Sequence, residues 1–250
     1  MTLSATSGYL KKVPVAVFDF DGTVLDGQSS VSLVLELIRR RIMKVRSALP
    51  VAWWGVRYKL HLPHEQYEVR QKVFSHLARL TTEEVDDLVE ELYRDLLAPM
   101  MREQAIELIE RYKAHGVKVF IVSASFEPII ARVADALGVE QISTRMEIKN
   151  GRYTAKLAGA PVEGTEKPLQ FFARADELYG EDGWRLVAAY GDHHTDIPLL
   201  EEAEHAYAVD PDMMLHRAAV DNGWPELKWT KHLTSEQLDR VCPGRRSIFL

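Results

Sequence analysis

From residue 99 onward, short apolar runs alternate with helix-like segments, and few folds accept that order. "REQAIELIERYKAHG" reads as a helix closed by Gly116, "VKVFIVSAS" as a strand, and "EPIIARVADALG" as a helix closed by Gly138. "QISTRMEIKNGRYTAKLAG" reads as a hairpin turning at Asn150-Gly151. "KPLQFFARADELYG" is a further helix, with Pro168 tolerated in its first turn. "RLVAAYGD" and "HAYAVD" read as strands, and "IPLLEEAE" and "DMMLHRAAVDNG" as helices. Ahead of them stands "VPVAVFDF", Val13 to Phe20, an apolar run suited to a strand buried on both faces. This alternation predicts a parallel α/β sheet, with ligands at the carboxyl ends of its strands.

Between the first strand and the alternating region the character changes. "SVSLVLELIRRRI", "HEQYEVRQKVFSHLARL" and "TTEEVDDLVEELYRDLLAPM" are helical in pattern, the last with Thr81 or Thr82 as N-cap. The expected organisation is a core of residues 1–27 and 98–250 and a helical insert of residues 28–97. A chain of 250 residues buries enough surface to need no staples, and its single cysteine, Cys242, forms no intrachain disulfide, which suits a reducing compartment. A formal net charge of −6 argues against general nucleic-acid binding. The N-terminus lacks a signal-peptide pattern, and the longest apolar stretch, "ALPVAWWGV", is too short to span a bilayer, so a soluble cytoplasmic protein is expected.

Three of the predicted strands end in polar residues. The first ends in Asp19-Phe20-Asp21-Gly22-Thr23, the second at Ser123, and "RLVAAYGD" at Asp192, with Asp196 four residues later. Lys167 opens a helix between the last two. Singly, each has an ordinary reading: aspartates cap turns and helices, and a first-turn lysine is usually solvated. Together they bring four carboxylates to one edge of one sheet, which costs several kcal/mol unless a cation compensates. A hard divalent cation with oxygen ligands fits best, and Mg²⁺ is the expected cofactor.

"DFDGTV", Ser123 after an apolar strand, Lys167 and "GDHHTD" resemble, in order and spacing, the four motifs of the haloacid dehalogenase superfamily of phosphohydrolases. The helical insert, "VSASFEPI" and Ala206 to Trp229 are similar to its subfamily IB, the phosphoserine-phosphatase-like branch. The resemblance implies a Rossmann-like parallel-sheet core with a helical cap between the first and second motifs. It implies a Mg²⁺-dependent phosphomonoester hydrolase acting on a small phosphorylated metabolite, an amino-alcohol or hydroxy-acid phosphate. Asp19 would be the nucleophile and Asp21 the acid and base. Mg²⁺ would be held by Asp19, the Asp21 backbone carbonyl and Asp192. Ser123 and Lys167 would bind the phosphoryl oxygens with backbone N–H groups near Gly22 and Ala124, Gly22 letting the backbone approach the phosphate. Asp196 would orient metal-bound water or Lys167.

In that family the residues between the two motif-four aspartates vary, so His193 and His194 are read as loop histidines rather than zinc ligands; no cysteine or third spaced histidine accompanies them. "DFDGTVLDGQSS" is no EF-hand loop, having Val24 where glycine is needed and Ser30 where the bidentate glutamate is needed. Further motifs of the DHH phosphoesterases are absent.

Substrate choice falls to the cap. Phosphoserine phosphatases carry a glutamate nine residues after the nucleophile and an asparagine before the second motif-four aspartate. Here these are Gln28 and Thr195, which speaks against phosphoserine, while Asp26 remains a candidate to attract an amine. Seven basic residues (Arg39, Arg40, Arg41, Lys44, Arg46, Arg57 and Lys59) surround "LPVAWWGV" with no acidic one between them. A solvated face is the favoured reading. A surface meeting anionic lipid, with a lipid phosphate as substrate, is the alternative, and Trp53 and Trp54 are alternative pocket residues. A phosphotransferase or mutase on the same scaffold is the third reading.

Overall fold

The computed structural model describes residues 12–45, 73–78 and 80–243. Its centre is a six-stranded sheet in the order β3-β2-β1-β6-β7-β8, every neighbouring pair parallel. The strands are β1 (Val13–Phe18), β2 (Lys118–Phe126), β3 (Glu140–Thr144), β6 (Trp184–Gly191), β7 (Ala206–Val209) and β8 (Glu226–Leu227). β1 lies between β2 and β6, so the direction of winding reverses beside it, and a crevice opens at the carboxyl ends there. Val15, Ala16, Val17 and Phe18 are fully buried, which is why β1 reads as an unbroken apolar run rather than an alternating one.

Helices α1 (Ser29–Arg39) and α2 (Thr82–Leu92) lie in the chain between β1 and β2, and residues 73–77 are also helical. Thr81, not Thr82, caps α2. Its hydroxyl accepts from the Glu84 N–H at 3.1 Å while the Glu84 carboxylate accepts from the Thr81 N–H at 2.8 Å, a reciprocal capping box. The helices that follow are α3 (Glu103–Ala114), α4 (Glu127–Leu137), α5 (Glu166–Tyr179), α6 (Ile197–Leu200), α7 (Met213–Asn222) and α8 (Ser235–Val241). Gly138 closes α4 at φ +61°, in the left-handed region that an L side chain resists.

The structure corrects the hairpin. Its turn at Asn150-Gly151 joins β4 (Met146–Lys149) to β5 (Arg152–Leu157), but Glu140–Thr144 is a separate strand of the main sheet, paired with β2. Edge position explains the misreading: β3 is only partly buried at Glu140, Gln141 and Ile142, so it lacks the apolar run of its neighbours. "IPLLEEAE" forms just four helical residues, and β8 and α8 follow where no element was expected.

One apolar core runs from the sheet into the helices after β1, joining Phe18, Leu33, Leu77, Leu88, Phe126 and Tyr153. The Phe126 ring lies 5.4 Å from Phe74 and 5.5 Å from Tyr153, so the hairpin and the helical segment meet over the end of β2. The two chain passages leading into and out of the helical segment are also joined. The Asp26 N–H donates to the Met100 carbonyl and the Arg102 N–H to the Val24 carbonyl, each at 2.9 Å. Among the described residues, no helix is long and apolar enough to cross a membrane.

Candidate active site

The carboxyl ends of β1, β2 and β6 meet around one pocket, lined by Asp19, Asp21, Gln28, Ser123, Ala124, Lys167, Asp192, His193, Thr195 and Asp196. Asp19 follows β1 directly, and Asp192 follows β6. Lys167 comes from the first turn of α5. Although lysine is a surface residue by habit, it is only 2% exposed here. Its ammonium donates to Asp19 Oδ1 at 2.6 Å and to Asp196 Oδ1. Burial works against that charge, but Asp19 and Asp196 outweigh it and hold the Lys167 pKa above its ordinary value. Burial also acts on Asp19, where it exceeds the opposing pull of Lys167; with Asp196 and Asp21 nearby, the carboxyl is pushed up to about 7.

Asp196 is spent on structure. Its Oδ1 takes Lys167, and its Oδ2 accepts the backbone N–H groups of Asp192 at 3.2 Å and His193 at 3.1 Å. Gly191 leaves the space for this, because an added Cβ would lie 2.6 Å from the Asp196 carboxylate. Asp196 thus fixes both the lysine and the turn that carries Asp192.

Gly22 makes room for a neighbouring carboxylate. It sits at φ +84°, and a Cβ there would fall 1.9 Å from Asp192 Oδ2, so its missing side chain makes room for that carboxylate. Its N–H donates to the carbonyls of Leu25 at 2.9 Å and Gly27 at 3.0 Å.

The four aspartates do not converge as one set. Oxygens of Asp19, Asp192 and Asp196 lie within 4.8 Å of one another, all three residues buried. The Asp21 carboxylate turns aside within the same pocket. Its Oδ1 accepts the Ser29 N–H at 2.6 Å, and its Oδ2 accepts the Ser29 hydroxyl at 2.9 Å and that of Ser125. Burial raises the Asp21 pKa against the lowering effect of those hydrogen bonds. Neither serine was singled out from the sequence. Serine beside a strand end is too common to signal anything, and what selects Ser29 and Ser125 is contact across 96 residues.

Asp26 is not placed to meet a substrate amine. It is absent from the pocket wall, and its carboxylate is engaged by Arg102 at 3.2 Å and His232 at 2.8 Å. Gln28 and Thr195 do line the pocket. The Gln28 Nε2 is buried and makes no hydrogen bond among the described residues, an expensive arrangement unless something else accepts from it.

His193 and His194 gain a third potential ligand that spacing did not show. Asp212, the N-cap of α7, lies 2.9 Å from His194 Nδ1 and 3.5 Å from His193 Nε2. Hydrogen bonding accounts for the group: Asp212 also accepts from the N–H groups of Leu215 and His194, and partial burial is outweighed by these donors and by His193, so its pKa is lowered. In the helical segment after β1, Arg39 and Arg40 are paired with Glu36 and Glu91. Trp53, Trp54, Arg46, Arg57 and Lys59 lie outside the described residues.

The model of the haloacid dehalogenase-like hydrolases matches residues 16–201. The chain belongs to that family. It is 29% identical over 240 residues to a probable phosphatase of Mycobacterium tuberculosis, covering 93% of this chain and 81% of that one. A phosphoserine phosphatase of the same organism is 26% identical, covering 84% and 68%. A histidinol-phosphatase of Neisseria meningitidis is 26% identical, covering 86% and 98%. A solved structure from Bordetella pertussis, of unknown function, superposes with a TM-score of 0.76 at 25% identity, covering 87% of this hydrolase and 99% of its own chain. This hydrolase is therefore an enzyme of the phosphatase kind, built on the parallel α/β fold that its sequence pattern predicted.

The buried oxygens of Asp19 and Asp192 form a donor set of the hard, anionic type that suits Mg²⁺, and Gly22 keeps open the approach to Asp192. If Asp192 is a ligand and the histidines belong to the Asp212 network, Asp192→Ala should lower Mg²⁺ affinity sharply. His193→Ala and His194→Ala should leave it nearly unchanged. Isothermal titration on each variant checks this, and a histidine variant as impaired as Asp192→Ala would reinstate imidazole ligation.

Proposed function

We propose that this hydrolase is a Mg²⁺-dependent phosphomonoesterase that works through an aspartyl-phosphate on Asp19, with the helical segment of residues 28–97 acting as a cap that selects a small phosphorylated metabolite. The observation that carries the reading is the buried Asp19–Lys167 contact at 2.6 Å, inside a pocket that also holds Asp192, Ser123 and a separately held Asp21. Asp19 is presented at a strand end, as an attacking carboxylate must be. Lys167, Ser123 and the backbone at Ala124, all in the pocket wall, would bind the non-reacting phosphoryl oxygens and offset the repulsion between carboxylate and phosphate dianion. Asp21 stands apart from that charge cluster and can protonate the departing oxygen, then accept a proton from the hydrolytic water. Asp19, the Asp21 carbonyl and Asp192 would hold Mg²⁺, which when bound supplies charge neutralisation at the phosphoryl group. Cytoplasmic residence and a soluble substrate belong to the same reading, and the engagement of Arg39 and Arg40 by cap glutamates supports it over lipid binding.

Phosphate release measured over a panel of metabolite phosphates tests this: turnover is expected with Mg²⁺ and lost with EDTA. Absence of free phosphate from every ester, with transfer to a second acceptor instead, would favour a phosphotransferase.

Within the panel, Gln28 sets a preference. A neutral amide in a desolvated pocket donates to an acceptor but does not pair with an ammonium, and lacking that pair costs ~2–4 kcal/mol. Phosphoserine is therefore expected to be a poor substrate. Gln28→Glu should raise kcat/KM for phosphoserine relative to that for an uncharged phosphoester by ~10-fold or more. The ratio is the measure, because a new carboxylate repels every phosphate. A wild-type enzyme that hydrolyses phosphoserine as well as its best substrate would remove Gln28 as the reader.

A further inference from the structure

We propose that Ser29 and Ser125 are positioning residues that aim the Asp21 carboxylate at the leaving-group oxygen, so that the start of the cap's first helix is part of the proton-transfer apparatus. The proposal rests on the reading of Asp21 as the proton donor. Both carboxylate oxygens of Asp21 are held: Oδ1 by the Ser29 N–H at 2.6 Å, Oδ2 by the Ser29 hydroxyl at 2.9 Å and by the Ser125 hydroxyl. The two hydroxyls also touch each other at 2.8 Å. Three donors on two oxygens fix the plane of the carboxylate, not merely its position, and a general acid requires that direction.

The two serines arrive from different parts of the fold. Ser29 is the first residue of α1, 1% exposed. Ser125 stands near the end of β2, where pairing with β3 shifts register between Ser123 and Phe126. A register shift of this kind re-aims a side chain that regular pleating would place elsewhere. Ser123 keeps its place in the pocket wall, and its hydroxyl accepts the Ser125 N–H at 3.2 Å, so the phosphate-binding and acid-orienting serines are locked together. Two of the three donors belong to the cap segment. A displacement of α1 from the sheet therefore unfixes the acid, and cap placement and proton transfer are one event.

A merely structural role, joining α1 to β2, would lower activity on all substrates alike. An orienting role depends on how much the leaving group needs a proton. The measurement is the ratio of kcat/KM for glycerol 2-phosphate, whose alkoxide must be protonated, to that for p-nitrophenyl phosphate, whose phenolate leaves unaided. Because kcat/KM covers steps up to cleavage of the ester, later hydrolysis of the aspartyl-phosphate does not enter. Asp21→Asn should lower the ratio ~100-fold or more, the span of a lost general acid. Ser29→Ala and Ser125→Ala should each lower it ~10-fold, and the double variant by less than the product, because the hydroxyls share one partner. Ser125→Cys, close in shape but a weak donor, replaces an alanine variant that fails to fold, with the same expected fall. Serine variants whose ratio stays within ~2-fold of wild type, while Asp21→Asn lowers it, overturn the positioning role and leave the acid assignment standing. An unchanged ratio in Asp21→Asn removes the acid assignment and this proposal with it.

Discussion

Asp19→Asn is expected to reduce turnover by ~10³-fold or more on every substrate while leaving the fold intact. The exchange is nearly isosteric, so the 2.6 Å contact with Lys167 survives through the amide oxygen. What disappears is the anionic nucleophile, and an amide at the end of β1 has no comparable reactivity toward phosphorus. The measurement pairs initial rates with a thermal melt. Near-normal hydrolysis by a well-folded variant would show that Asp19 is not the nucleophile. Loss of activity together with the fold would leave the role to be tested by trapping phosphate on the wild-type side chain.

Lys167→Met should be the most damaging change in the pocket for stability. It leaves the Asp19 and Asp196 carboxylates buried with no ammonium between them, and breaking a buried ion pair from one side costs ~3–5 kcal/mol. The loss should depend on pH in a definite direction. Burial pushes the Asp19 carboxyl up to about 7 in the folded chain in spite of Lys167, against an ordinary carboxyl near 4 when unfolded. A carboxyl whose folded pKa is raised binds more protons in the native than in the unfolded state, so stability falls as pH rises between those two values. Removing Lys167 raises the Asp19 pKa further, so the fall continues to higher pH. The gap between wild type and Lys167→Met, measured by urea denaturation in EDTA, should be smallest below about pH 7 and should widen as pH rises above that value. A gap that is constant with pH, or widest below about pH 7, would mean that the lysine acts through packing rather than charge.

The sequence legibly carried the elements and the order of the polar strand ends. Val13–Phe18 announced a doubly buried strand because burial on both faces leaves no polar alternation, and β2 and β6 did the same. β3 was lost because an edge strand keeps polar residues. Residue type and position were enough to gather Asp19, Asp21, Ser123, Lys167 and Asp192 at one sheet edge, since parallel strands all deliver their carboxyl ends to the same side.

Tertiary structure decided what each group faces. Of the four aspartates gathered at one sheet edge, Asp19, Asp192 and Asp196 draw together, while Asp21 is taken by Ser29 and Ser125. Asp26, two residues before Gln28, is committed to Arg102 and to His232, 206 residues away, whereas Gln28 enters the pocket. Gly22 leaves room for the Asp192 side chain. A local pattern fixes backbone conformation and which face of an element is apolar, because those depend on near neighbours. The direction of a polar side chain depends on donors brought up by distant segments, and their arrival is set by packing that no single stretch of sequence contains.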